Sequence, residues 1–388
     1  MHEKRTFIVM FVAIFVAMLG VGVIAPTMPI YARTLGANGL WLGIIYGTFS
    51  ISRMIFMPVA GRLSDIKGRK GFLVMGLTIY ALASFGYIWS QTVIQITWIR
   101  LLHGIGSAMV IPIATAVIGD ISPRGKEGSV MGSFLVALFL GFGAGPLLGG
   151  VVMDSFGINA VFYIMGAMSF IALLLIVSFL PQRTDQAVGA KEKVSSVHEI
   201  FREDRFKGIF IFRFSNAAGR AALIAFIPIF ADQMNITPAQ IGLLISIHIF
   251  VTGLLQWFFG KLADRFSKTW FMVIGNLFGT LPLLLTPLAT SLTHLLILGI
   301  LMGVGSALAF PAAGAVATEI GREYGMGNIM GYFNMAMSLG MITGAIGTGI
   351  VMDLFGLSYV FLLGGIIGII GTLLCLFWLK RGSDRVAL

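Results

Sequence analysis

Six ionisable side chains stand inside long apolar runs of this 388-residue chain: Arg53, Arg100, His103, Arg213, Arg220 and His248. An ionised group at the middle of a hydrocarbon layer costs at least ~2.5 kcal/mol, so residues of this kind point to binding, coupling or pairing. Arg213, Asn216 and Arg220 recur at i, i+3 and i+7, and Arg100 and His103 at i, i+3, so each set shares one face of a helix. Guanidinium groups suit carboxylate or phosphate, and an imidazole changes charge near neutral pH. The sixteen acids all lie in loops or near the ends of the apolar runs. A cavity lined by Arg53, Asn216, Arg220 and His248 therefore favours anionic, zwitterionic or neutral amphipathic solutes. Plainer roles stand beside this one: Arg213 could snorkel to a boundary, Arg100 could donate to backbone carbonyls, and His248 with Thr252 and Gln256 could form a polar seam between helices.

The elements that must hold these groups are read from composition. The chain is 57% hydrophobic and 11% charged, far less charged than soluble domains. Windows of about 20 apolar residues fall at 7-31, 41-60, 71-89, 93-118, 129-152, 160-180, 208-231, 240-262, 270-289, 294-318, 328-351 and 359-379. The expected fold is all-α and integral to the membrane, with twelve transmembrane helices in two homologous six-helix bundles. Lys4 and Arg5 precede the first run as they would in a secretory signal, but the run is too long and lacks a cleavage site, so it is read as a span.

The net charge of +10 could suggest nucleic acid. Its distribution argues otherwise. Apart from the four arginines within spans, nearly all of the 26 Lys and Arg fall in the tails and in alternate loops, and Arg33 is the exception. This is the positive-inside pattern, which places both termini in the cytoplasm. The lone Cys375 excludes an intramolecular disulfide.

The chain repeats itself. "GRLSDIKGRKGFLVMG" from Gly61 overlays "GKLADRFSKTWFMVIG" from Gly260, an offset of 199 residues. "LHGIGSAMVIPIATAVIGD" overlays "LMGVGSALAFPAAGAVATE" at the same offset, "VVMDSFG" overlays "IVMDLFG", and Pro29 falls on Pro228. An N-terminal bundle over 1-181, a cytoplasmic linker over 182-207 and a C-terminal bundle over 208-388 follow. An even number of spans per half gives both halves the same orientation, the arrangement of an alternating-access carrier with its site near the midplane.

These motifs carry a family resemblance. "GRLSDIKGRK" resembles the signature between the second and third helices of the major facilitator superfamily, with Gly61, Asp65, Gly68, Arg69 and Lys70 in place and Ile66 where an arginine is usual. The resemblance implies a cytoplasmic latch in which Asp65 caps the start of helix 11 and Arg69 meets Asp120, with Asp264 as the repeat of Asp65. Gly61 would allow close packing of a helix end. Gly132, Gly141, Gly145, Pro146, Gly149 and Gly150 resemble the fifth-helix motif of antiporters in this superfamily, and "GVGVIAPTMPIYA" resembles the first-helix pattern of its twelve-helix drug:proton antiporter group.

Small residues four apart let helix backbones approach, and Pro146 removes a hydrogen bond to Phe142, favouring a bend. The second half has Ala345 and Thr348 where the first has Pro146 and Gly149. That asymmetry favours a role confined to the first half, such as an external gate, over generic packing. Pro26 and Pro29 either kink the first span or face substrate. "RLLHGIG" resembles the fourth-helix motif of proton-coupled members, with His103 where glutamine is usual, and so makes Arg100 and His103 the coupling pair.

The resemblance implies a secondary transporter that exports small drug-like compounds by proton antiport, sodium being the other available ion. The alternative is an organic-anion transporter with an arginine-lined central cavity. No metal cluster, phosphate loop or nucleophile-base pair marks an enzyme, no cofactor is implied, and short loops leave no room for a receptor's signalling domain. The expected partners are a small-molecule substrate, protons and the lipid bilayer, with no nucleic acid. The expected setting is the inner (cytoplasmic) membrane, and the expected state a monomer.

Overall fold

The computed structural model describes residues 2–123, 127–181, 196–263 and 265–387. Among them are α1 (His2–Val23), α2 (Thr27–Thr34), α3 (Gly39–Lys67), α4 (Arg69–Trp89), α5 (Val93–Ile121), α6 (Glu127–Phe156) and α7 (Ile158–Phe179). A short α8 (Val197–Arg202) precedes α9 (Asp204–Gln233), α10 (Pro238–Ala263), α11 (Lys268–Leu285), α12 (Leu292–Tyr324), α13 (Met326–Phe355) and α14 (Leu357–Ala387). Twelve helices of the described residues are long and apolar enough to cross a membrane, α1 and α2 forming one interrupted span. The interruption lies at Pro26, the N-cap of α2, where a residue without an N–H cannot continue the α1 ladder. Of the linker expected over 182-207, residues 182–195 lie outside the described residues, and the rest begins α8 and α9.

Helices run past the apolar windows. α3 continues to Lys67, so the "GRLSDIK" segment is helical, not loop, and the turn is made at Gly68 with φ 93°. Gly157 and Gly356, which share a repeat position, break α6 from α7 and α13 from α14 at φ 79° and 102°. Only glycine adopts such a backbone without strain.

The chain divides into two compact units. The first comprises Met1–Ala37, Thr48–Ala187 and Pro228–Ile249, and the second Asn38–Gly47, Val188–Ile227 and Phe250–Leu388. In the first, α1 packs on α6 and α7, and α4 on α5 and α7, around a core that includes Met10, Ile14, Tyr80, Val110 and Phe134. In the second, α11 packs on α12 and α14, and α13 on both of those, around Phe206, Phe212, Met272, Ile320 and Cys375. In lipid the drive for such contacts is close packing and interhelical hydrogen bonding rather than escape from water.

Candidate functional site

In the first unit, α5 places Arg100 and His103 one turn apart and both buried. They converge on one ring: the Arg100 guanidinium carbon is 5.3 Å from the Phe49 centroid, and the His103 ring meets the same phenyl edge-on at 5.4 Å. Tyr80 packs edge-on against His103 at 4.8 Å. The Tyr87 hydroxyl lies 3.1 Å from His103 Nδ1, and Tyr31 anchors that end of α4 by donating to the Tyr87 and Ser90 carbonyls, each at 2.8 Å. Among the described residues His103 Nε2 has no hydrogen-bond partner. Gly104 makes the convergence possible, because a Cβ there would overlap Ser52 and the Phe49 carbonyl of α3. Arg53 is half-buried on α3.

In the second unit, Arg213 and Arg220 rise from α9 toward Phe310 of α12, at 5.3 Å and 5.5 Å from its centroid. Arg213 also lies 4.8 Å from the Phe333 ring and 3.0 Å from Met337 Sδ, both on α13. It is therefore held on aromatic faces, an arrangement more specific than snorkelling. Each such contact contributes about 0.5–2 kcal/mol, more as it is desolvated. Asn216 is committed elsewhere. Its amide donates to Asn276 Oδ1 at 3.0 Å, and Asn276 donates in turn to Thr372 at 2.6 Å and to the Gly368 carbonyl at 3.2 Å, joining α9, α11 and α14. Of the four cavity residues expected, Arg53 and His248 fall in the first unit, and Asn216 and Arg220 in the second. His248 is half-buried on α10, and one turn on Thr252 donates to the Gly303 carbonyl at 3.3 Å.

The latch residues assemble in part. Arg69 bridges Asp120 at 2.9 Å and Asp65 at 3.3 Å. Lys70 caps the end of α7, donating to the Val177 and Leu180 carbonyls at 2.8 Å and 2.6 Å. Asp65 is thus engaged by Arg69 within the first unit. A Cβ at Gly61 would meet nothing within 4 Å. Asp264 lies outside the described residues. The repeat supplies a pair the sequence reading passed over: Lys268 and Glu319, 2.9 Å apart, occupy the positions of Arg69 and Asp120.

The fifth-helix motif lies along α6, which runs unbroken through Pro146. Gly141, Gly145 and Gly149 lie against the α1 backbone; a Cβ at 145 would sit 2.6 Å from Gly22 Cα, and one at 149 would overlap the Val23 carbonyl. The Phe142 carbonyl, deprived of a donor by Pro146, faces Gly22. Gly132 differs, with open space around it. Gly150 lies against Pro238, and Gly242 against Pro146, so α10 crosses α6 closely within the first unit. Ser246 Oγ accepts from Leu147 N at 3.0 Å, and Asp154 accepts from Ala239 N at 2.9 Å.

The second unit repeats this crossing between α13 and α3. Gly349 lies against Gly39, Ala345 against Gly43, and Asp353 accepts from Gly39 N at 2.6 Å and Leu40 N at 2.8 Å. Asp154 and Asp353, one repeat apart, thus each cap a helix start, where a carboxylate is favoured by unpaired N–H groups and the helix dipole. The sequence reading missed both, along with Tyr31, Tyr80, Tyr87, Phe310 and Phe333. The 199-residue offset held the signal for the acids, whereas a phenylalanine-rich chain held none for the rings.

Comparison with known proteins decides the family. The Major Facilitator Superfamily profile matches residues 10–208 and 209–387, once per half. The chain belongs to the major facilitator superfamily. It is similar to an uncharacterized MFS-type transporter of Methanocaldococcus jannaschii, 33% identical over 98% of this chain and 99% of that one. It is also similar to Multidrug resistance protein 2 of Bacillus subtilis, 28% identical over 100% and 98%. Among solved structures, a variant of the nucleoside transporter NupG superposes with TM-score 0.81 at 17% identity, covering 96% of this chain and 99% of that one. This member of the superfamily is accordingly a multi-pass membrane transporter of small solutes, and the family is one of transporters, not of catalysts.

Proposed function

We propose that this transporter exports small amphipathic, drug-like compounds in exchange for protons, by alternating access between the halves 1-181 and 208-388 with 182-207 joining them. The basic ends of the spans face the cytoplasm, as do both termini, and the protein acts as a monomer in the inner membrane. Resemblance to a multidrug resistance protein over the whole chain supports the substrate class.

The observation that carries proton coupling is the buried Arg100–His103 pair on Phe49, with His103 Nδ1 at Tyr87 and Nε2 without a hydrogen-bond partner among the described residues. With the acids at helix ends or in loops, an imidazole deep in a span is the group able to change charge near neutral pH. A proton arriving at His103 would set two like charges side by side with Arg100 in a low dielectric, which links proton arrival to rearrangement around α5. His103→Gln, reconstituted in proteoliposomes under an imposed pH gradient, is expected to retain downhill exchange of a dye such as ethidium and to lose its proton-driven accumulation. Undiminished accumulation would remove His103 from the mechanism.

A second reading has its own support. Arg213 and Arg220 on the Phe310 and Phe333 rings form a cationic, aromatic surface suited to amphipathic anions. It makes the solute an organic anion, with Arg53 and Arg100 as further cations.

A further inference from the structure

Three of the six tryptophans lie at one end of the second unit, and each carries a basic group over its ring. Lys261 Nζ is 3.6 Å from the Trp257 centroid, one turn along α10. Lys380 Nζ, on α14, is 5.9 Å from Trp270 at the start of α11. Trp378 is flanked by two cations, Lys207 of α9 at 4.2 Å and Arg381 at 5.4 Å. The buried carboxylate of Asp204 fixes that pair, meeting Lys207 at 2.7 Å and Arg381 at 3.3 Å. Close packing of α14 on α9 keeps the arrangement compact, since a Cβ at Gly382 would sit 2.7 Å from Arg205 Cγ.

Charge at this end is not balanced. Arg205 pairs with Glu203 and Glu323, and Lys268 with Glu319. Asp204 answers two cations at once. Lys261, Arg265 and Lys380 have no carboxylate partner among the described residues. The same polarity recurs on two helices. On α14, exposed Leu373, Leu374 and Phe377 lead to Trp378, Lys380 and Arg381, and on α10, exposed Leu254, Trp257 and Phe258 lead to Lys261. On α11, exposed Phe278, Ile274 and Trp270 lead back to its first turn. Hydrocarbon, then an amphipathic ring, then a cation is the order an acyl chain, glycerol and phosphate would meet.

We propose that this end of α9, α11 and α14, extended by α10, is a binding site for anionic phospholipid, with the headgroup phosphate held by Lys207, Lys380 and Arg381 around Trp270 and Trp378 and attracted further by Lys261 on α10. A zwitterionic headgroup brings a compensating ammonium and gains less. A soluble anion would gain nothing from the exposed apolar stems below the cations.

The test uses the full-length protein, with native mass spectrometry after equilibration in equimolar phosphatidylglycerol and phosphatidylethanolamine. Wild type is expected to retain phosphatidylglycerol preferentially. Each cation removed should weaken that preference about fivefold, so Lys261→Gln with Lys380→Gln should lower it by more than tenfold. Because neither lysine has a carboxylate partner, this pair is expected to leave the thermal transition in place even where Arg381→Gln disturbs the α9–α14 packing. An unchanged lipid ratio in the double variant would overturn the site. Displacement of bound lipid by millimolar inorganic phosphate would overturn it too, by showing a site for soluble phosphate.

Discussion

An alanine at Gly145 is expected to force α1 and α6 apart. Its Cβ would lie 2.6 Å from Gly22 Cα and 2.7 Å from both Gly22 C and the Leu19 carbonyl oxygen. Those neighbours are backbone, which cannot rotate away as a side chain can, so relief to ordinary contact requires the helices to separate by about 1 Å. Overpacking of this size costs about 1–3 kcal/mol, read as a fall of roughly 1–4 °C in the thermal transition of purified protein.

Two controls share the chemistry of this substitution. Gly132→Ala meets nothing within 4 Å and gains up to about 1 kcal/mol of helix propensity, so its transition should hold or rise. Gly344→Ala, the repeat counterpart, would place Cβ 2.5 Å from Ala218 Cα and should cost as much as Gly145→Ala. Comparable destabilisation at 145 and 344, with proton-driven export lost only at 145, is expected if the motif serves the first half specifically. Equal destabilisation by Gly132→Ala would refute the backbone-contact reasoning, and equal transport by the 145 and 344 variants would reduce the motif to packing.

Asp154→Ala and Asp353→Ala each remove a helix cap, worth about 1 kcal/mol, and the double variant is expected to free the starts of α10 and α3. Spin labels at Phe156 and Asp232, in a Cys375→Ser background, should report a broader and longer distance distribution than wild type; an unchanged distribution would show that the caps hold nothing shut. Arg220→Ala is expected to abolish flux of an amphipathic anion while leaving ethidium movement intact if the anion reading holds, and loss of neither would reduce the Phe310 contact to structure.

Apolar run length located every span because a membrane helix must be apolar for about 20 residues. It could not locate their ends. α3 continues to Lys67 and α12 to Tyr324, since a helix emerging into polar surroundings stops at a breaker such as Gly68 or Gly325 rather than where hydropathy falls. The Arg100–His103 face was legible from spacing, as was the Arg69–Asp120 pair from the motif. Asn216 has a partner that spacing did not show: its amide donates to Asn276 on a neighbouring helix. Choosing Phe49, Phe310 and Phe333 from 32 phenylalanines required the helix rotations, and those come from glycine contacts such as Gly104 on Phe49 and Gly340 on Phe214.

The first compact unit takes its last segment, Pro228–Ile249, from well beyond its own bundle, and this bears on how the protein is made. The edge of α6 that carries Pro146 and Gly150 leaves the ribosome before the α10 residues that cover it, and at about 5–20 residues per second the interval lasts several seconds. During that time the first neighbour of this glycine-lined edge is lipid or the insertion machinery. Synthesis halted after the first six spans would leave it permanently uncovered, so the two halves expressed as separate chains should be stable only when made together.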